Sequence, residues 1–161
     1  MIFLAVGTQF GFDRLVKAVD EAIGRDVIQE KVFAQIGPGS YLPKGMEYTT
    51  SLEKEEFDKV LTSCEAIISH AGMGNISLAL KMRKPLLVMP RLKRFNEVVN
   101  DHQVDTAHTF EQLGHILVAY DEKELLEKIK LLKTFVPKKR ENQAHLVARR
   151  IADFLKTIDE D

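Results

Sequence analysis

The sequence predicts an α/β fold in which a parallel sheet is covered by helices on both faces, and three observations predict it. Short apolar runs alternate with segments whose apolar residues recur at helical spacing. Several runs end on small polar clusters rich in glycine, as strands do where a sheet opens onto a ligand edge. No repeat, low-complexity linker or domain boundary interrupts the alternation, so the units read as consecutive strand–helix–strand crossovers of one domain.

The elements follow in order. Ile2 to Val6 is the first strand, closed by Gly7-Thr8. Phe12, Leu15, Val16, Val19 and Ile23 share a helical face, and Gly24 ends that helix. Val32 to Ile36 is the second strand, broken by Gly37-Pro38-Gly39, and Met46 to Thr50 is the third. A helix carrying Phe57, Val60 and Leu61 comes next, then the strand Ala66 to Ser69 and a helix from Ile76 to Met82 that presents Ile76, Ala79 and Leu80. Leu86 to Met89 is a strand leading to a helix through Val99, Val104 and Ala107. Ile116 to Ala119 closes the strand set, and helices over residues 122–133 and 141–157 finish the chain.

Composition narrows the function classes. With 161 residues, 45% of them hydrophobic, and a net charge of −1, the chain suits a single core and offers no bulk attraction to nucleic acid. Cys64 is the single cysteine, so neither a disulfide framework nor a cysteine zinc site is expected, and a reducing, cytoplasmic location is the default. The N-terminus lacks a basic region, and no run approaches the ~18 apolar residues of a membrane span.

The most informative stretch runs from Ser69 to Gln103. Ser69-His70-Ala71-Gly72-Met73-Gly74-Asn75 places two glycines between a strand and a helix. Glycine lets backbone approach an anion, and a helix starting near Gly74 or Asn75 aims free N–H groups and a positive dipole end at the turn. A phosphate fits that chemistry, with His70 as an adjacent donor and Asn75 as either donor or N-cap. The same turn, without a ligand, would serve strand-to-helix packing. Lys84-Pro85-Leu86-Leu87-Val88-Met89-Pro90 and Asn100-Asp101-His102-Gln103 complete the stretch.

These segments, together with Val6-Gly7-Thr8 and Gln35-Ile36-Gly37, resemble the donor-binding half of MurG-type family 28 glycosyltransferases. Within that superfamily they are most similar to two groups of small subunits. One is the cytosolic subunit of the eukaryotic dolichol-linked N-acetylglucosaminyltransferase; the other is its bacterial exopolysaccharide counterpart of the PssE type. The resemblance covers residues 1–135, and the Met89-Pro90-Arg91 and Asn100–Gln103 wording is nearer the bacterial branch. It implies a Rossmann-like domain equivalent to the C-terminal half of a GT-B enzyme. It further implies a UDP-sugar donor, an inverting and metal-independent transfer, and a lipid-linked acceptor held by a separate membrane-anchored subunit. On that pattern the domain sits in the cytoplasm and reaches the membrane through its partner, with a homodimer as the fallback when the partner is absent.

Carried over residue by residue, the resemblance gives His70, Gly72, Met73, Gly74 and Asn75 to the nucleotide diphosphate. Asn100, Asp101, His102 and Gln103 go to the sugar, and Gly7 and Thr8 to the cleft-facing loop. His70 is the sole candidate for a catalytic group, and the general base is expected from the partner. One departure stands out: the helical glutamate that binds ribose in many family members is replaced by Leu78, which leaves Glu97 as the ribose candidate. Arg91 and Arg94, in the loop after Leu86–Met89, could hold a carboxylate bidentately, which would suit a glucuronosyl donor; a solvated basic loop or a partner contact is the competing reading. No cofactor and no metal are expected.

Other readings stay open at this stage. His108, His115 and His145 read as surface or core-edge residues, Glu53, Glu55, Glu56 and Asp58 as a solvated helix face, and Asp159-Glu160-Asp161 as a frayed terminus. No paired carboxylates at a strand end, nucleophile elbow or Walker loop is present. Two alternatives to a transferase subunit remain: a non-catalytic nucleotide-binding adaptor, which Leu78 favours, and a nucleotide-sugar epimerase fragment, which the length disfavours. Finally, Val147, Ile151, Phe154 and Ile158 form an apolar stripe on a helix over about residues 138–158, amid Lys138, Lys139, Arg140, Arg149 and Arg150. That helix is a candidate docking element for the partner, or else a cover for this domain's own sheet.

Overall fold

The computed structural model describes residues 1–139 and Arg149. Six strands form one sheet: β1 (Ile2–Ala5), β2 (Val32–Gln35), β3 (Glu47–Thr49), β4 (Ala66–His70), β5 (Leu86–Met89) and β6 (Leu117–Val118). Their order is β3-β2-β1-β4-β5-β6 and every pairing is parallel. The helices are α1 (Asp13–Gly24), α2 (Lys54–Ser63), α3 (Met73–Lys81), α4 (His102–Gln112) and α5 (Glu122–Leu132).

Side chains alternate across the sheet, and each face has its own core. Leu4, Val6, Ile68, Leu87 and Met89 pack with Leu15, Val19, Leu125 and Ile129 of α1 and α5. Phe3, Ala5, Ile67, Leu86 and Val88 pack with Leu61, Ile76, Ala79 and Ala107 of α2, α3 and α4. Every residue of β1 and β5 is buried, as parallel strands covered on both faces require. The doubly wound order reverses between β1 and β4, and the crevice beyond their carboxyl ends is where such sheets place ligands.

Some expected boundaries shift. The third and last strands shorten to Glu47–Thr49 and Leu117–Val118. Gly24 is the last residue of α1, and the left-handed turn that follows falls on Asp26 (φ 57°). The helix expected through Val99 begins only at His102. Residues 90–101 form a loop with a 3-10 turn at Lys93–Phe95 and a left-handed Asn96 (φ 56°), and Val99 is 72% exposed. The helix over about 138–158 lies outside the described residues. Lys138 is tied back to the α4–β6 turn: its N–H donates to Gly114 O, and its carbonyl lies 3.0 Å from His115 Nδ1. His115 is thus a core-edge residue, and His108 is exposed.

Two carboxylates of α1 fix the long β2–β3 connection. Asp13 accepts from the Ser40 N–H and hydroxyl, and buried Asp20 accepts from the Tyr41 hydroxyl and the N–H groups of Lys44 and Gly45. Gly11 and Gly39 meet there so closely that a Cβ on Gly11 would lie 2.8 Å from the Gly39 Cα. Glycine at these positions therefore serves loop-on-loop packing.

Candidate functional site

The site grows from the carboxyl ends of β1, β4 and β5. Ser69 pairs with Ala5 across β1 and β4, and His70 pairs with Met89 across β4 and β5. Buried Ser69 donates its hydroxyl to the Ala5 carbonyl (2.6 Å) and accepts from Asn75 Nδ2 (2.7 Å). The Asn75 side chain is therefore turned down into the sheet, where it moors α3 to the strand ends. It does not cap the helix, whose N-cap is Gly72, and this corrects the N-cap expectation for Asn75.

The helix end itself is open. Gly72 occupies the N-cap position and, among the described residues, no side chain caps α3; the first intrahelical bond at this end is Ile76 N–H to Gly72 O, 3.1 Å. The N–H groups of Met73, Gly74 and Asn75 thus lie at the positive end of the helix dipole with no side-chain acceptor among the described residues. Beside them the His70 ring fits between two glycines. A Cβ on Gly72 would overlap Nε2 and reach 2.8 Å from Cδ2; one on Gly7 (φ +82°) would come within 3.3 Å of Cε1. Gly72 is consequently required by the imidazole, whatever binds in the turn. Gly74 differs: a Cβ there would meet nothing within 4 Å.

Burial, with the Arg91 charge nearby, pulls the His70 pKa down to about 4, so the ring is neutral at pH 7. The unfolded chain takes up this proton near pH 6.5 and the folded chain resists it down to about 4. Stability attributable to His70 is therefore complete above about pH 6.5 and is lost as pH falls toward 4, by about 3 kcal/mol in all. Urea unfolding at pH 7 and pH 4.5 is expected to show this loss in the wild type and much less of it in His70→Gln. Equal pH slopes in the two proteins would contradict the buried neutral ring.

Three further expected ligands are committed inside the protein. Arg91 is 4% exposed, and its Nη2 donates to the carbonyls of Val6 (2.7 Å) and Phe10 (2.6 Å), while Nε has no partner among the described residues. Burial lowers its pKa to about 10, with Glu97 opposing the shift, so it stays charged. It is a strap between β5 and the loop after β1, and not the carboxylate clamp expected for a uronic acid. Glu97, expected at the ribose, is buried and engages Arg14 with both oxygens (2.8 and 2.9 Å), and its Oε2 also accepts from the Leu92 N–H. Gln103 Oε1 accepts from the Arg91 N–H (3.1 Å), so part of its amide already holds the loop.

The remaining positions rim the same edge. Thr8 and Met73 are exposed, and Gly7 is half-buried. His102 is exposed at the start of α4, with its N–H 3.3 Å from Asn100 Oδ1, and Asp101 accepts from the Lys93 N–H. Leu78, where the sequence resemblance leads one to expect a glutamate, is half-buried against the core on the α2–α4 side of the sheet. Arg14, Asp13 and Ser40, which the sequence reading missed, line a cavity of about 480 Å³ with Phe95 and Glu97, next to the loop after β1. Among the described residues, no three His, Cys, Asp or Glu side chains are grouped to hold a metal ion.

The doubly wound parallel sheet is Rossmann-like, the architecture found in each lobe of GT-B glycosyltransferases. The chain belongs to the glycosyltransferase family 28 C-terminal domain family, which matches residues 1–158. It is 29% identical over 126 residues to the mouse UDP-N-acetylglucosamine transferase subunit ALG13, covering 71% of this chain, and 27% identical over 124 residues to the human one. The chain spans only about 10% of the length of those two relatives. Among solved structures, the solution structure of ALG13 superposes with a TM-score of 0.58 over 93% of both chains at 17% identity. The calicheamicin glycosyltransferase CalG4 gives 0.56, with 82% of this chain on 34% of that one, again at 17% identity. Acinetobacter baumannii MurG gives 0.52, with 84% of this chain on 45% of it, at 15% identity. These likenesses establish the fold.

Proposed function

We propose that this domain is the donor-binding subunit of a two-component, UDP-sugar-dependent inverting glycosyltransferase acting on a lipid-linked acceptor. A membrane-anchored partner supplies the acceptor half and the general base, and draws the domain to the cytoplasmic face of the membrane. The observation that carries this reading is the open N-terminus of α3 at the β1–β4 switch point, with His70 against it and the Arg91 cation buried nearby. Oriented N–H groups and the dipole would bind the diphosphate and stabilise the charge that grows on it as the bond to the anomeric carbon breaks. The acceptor hydroxyl attacks that carbon from the opposite face, its proton passing to the base. The helix end fills the role a cation plays in metal-dependent transferases, so the reading calls for no metal. Family membership and the word "subunit" in the relatives' names support it.

Calorimetry with UDP, ADP and GDP tests the site, and a transfer assay with and without the partner tests catalysis. UDP is expected to bind in preference to the purine nucleotides. Because His70 is neutral in the free protein, anion binding should raise its pKa, so UDP binding near pH 5.5 takes up protons and tightens as pH falls from 7. Comparing binding heats in buffers of different ionisation enthalpy measures that uptake. No UDP binding at all would end the reading. Binding without transfer in the presence of the partner would favour a nucleotide-binding adaptor, the alternative that Leu78 supports.

The finer reading, glucuronosyl transfer in exopolysaccharide synthesis, rests on the Met89-Pro90-Arg91 and Asn100–Gln103 wording. With Arg91 committed, Arg94 is the exposed guanidinium of that loop, lying over the Phe95 ring at 4.9 Å. If Arg94→Ala leaves a preference for UDP-glucuronate over UDP-N-acetylglucosamine intact, the loop arginines do not read the sugar.

A further inference from the structure

Two arginines tie the loop after β1, the start of α1 and the β5–α4 loop to one another. Arg14, in the first turn of α1, donates to Glu97 through Nε and Nη2 and to the Pro90 carbonyl through Nη2 (3.2 Å), so it holds the β5–α4 loop. Arg91, in that loop, donates to the Val6 and Phe10 carbonyls and so holds the loop after β1. The Phe12 ring lies against both guanidiniums, 5.3 Å from one and 5.2 Å from the other. Arg14 also lies over Phe95 at 4.9 Å, and Glu97 ties Leu92 to the pair. We propose that this crossed-arginine clasp sets the two cleft loops as one unit, and that Arg14 and Glu97 are positioning residues for the sugar end of the donor.

The inference rests on the donor-site reading above and adds to it. One gripped loop carries Gly7 and Thr8; the other leads into Asn100–Gln103 and is regular only in a single 3-10 turn. Loops with so little backbone pairing sit at the low-stability end of a fold unless side chains order them. A buried ion pair is often no more stabilising than apolar packing of equal volume, whereas a bidentate guanidinium–carboxylate fork fixes orientation. Among the described residues the Arg14–Glu97 fork makes no hydrogen bond to α3, so the fork can be loosened while the N–H groups of that helix end remain in place.

Arg14→Lys keeps the charge and loses the fork; Glu97→Gln keeps the shape and loses the charge. In either variant, NMR order parameters are expected to fall together in residues 7–11 and 92–101, with the strands unchanged. The affinity advantage of UDP-N-acetylglucosamine over UDP should shrink at least tenfold while UDP affinity stays within about twofold. Loosening confined to 92–101, or equal weakening of both ligands, would overturn the clasp. The relaxation measurement needs no ligand. Should the wild-type chain ignore UDP, the donor-site reading falls and the coupled loosening alone decides for or against the clasp.

Discussion

Gly74→Val is expected to abolish UDP binding in a chain that folds as well as the wild type. Gly74 is exposed, its φ is ordinary, and a Cβ there would meet no atom of the described residues beyond its own turn of helix within 4 Å. Glycine inside a helix costs roughly 0.5–1 kcal/mol relative to alanine, and nothing in the surrounding packing requires it. A ligand whose oxygens approach the backbone of the first turn of α3 would require it. The added side chain would hold a diphosphate away from two or three N–H groups, at about 1.5–3 kcal/mol for each charge-assisted bond, a loss of at least about a hundredfold in affinity.

Gly72→Val cannot make the same point. Its Cβ would overlap the His70 ring, so the imidazole must move, and overpacking of that kind costs about 1–3 kcal/mol in stability. Lost binding there would mix a broken site with a displaced histidine. The informative comparison is calorimetry and thermal melting of Gly74→Ala, Gly74→Val and wild type together. Alanine should raise the melting temperature slightly, and valine should remove binding without lowering it far. Wild-type UDP affinity in Gly74→Val would show that no diphosphate rests on this helix.

The strands were legible because their signal is local. Runs such as Leu86–Met89 are buried on both faces, so they stay apolar throughout, and glycine or proline marks where they stop. The turn proposed as the site was legible for the same reason, since His70 to Asn75 falls between a strand and a helix whatever the rest of the chain does. The roles of its residues were not. Asn75 reaches back to Ser69 and Ala5, Arg91 to Val6 and Phe10, and Glu97 to Arg14, partners brought close only by the strand order. A polar residue near a glycine turn reads as a ligand until its internal partner is seen. One available signal went unused: Asp13 and Asp20 are seven residues apart on α1 and so share a face, which marks them as anchors for a neighbouring loop. The helix expected through Val99 failed for a related reason, because Glu97 and Leu92 are held by contacts that a helix could not make.

Arg91→Met is expected to be the most destabilising single change near the site, lowering the unfolding free energy by about 3–5 kcal/mol. The side chain is 4% exposed and lies against Phe12, so methionine would recover part of the packing volume. It would recover none of the hydrogen bonding. The Val6 and Phe10 carbonyls would lose their guanidinium donor, and Glu97 would lose the nearer influence of a second cation. Arg91→Lys should fall between the two, because one ammonium can seldom serve both carbonyls in the place of a planar fork. The same substitution has a second signature at His70. The Arg91 charge is one of two forces holding that imidazole neutral, burial being the larger, so removing the charge should raise the His70 pKa part of the way from about 4 toward 6.5. Urea unfolding gives the first quantity and an NMR titration of the His70 ring gives the second. A loss under about 1 kcal/mol together with an unmoved His70 titration would mean that Arg91 is neither the strap nor the buried cation of the site.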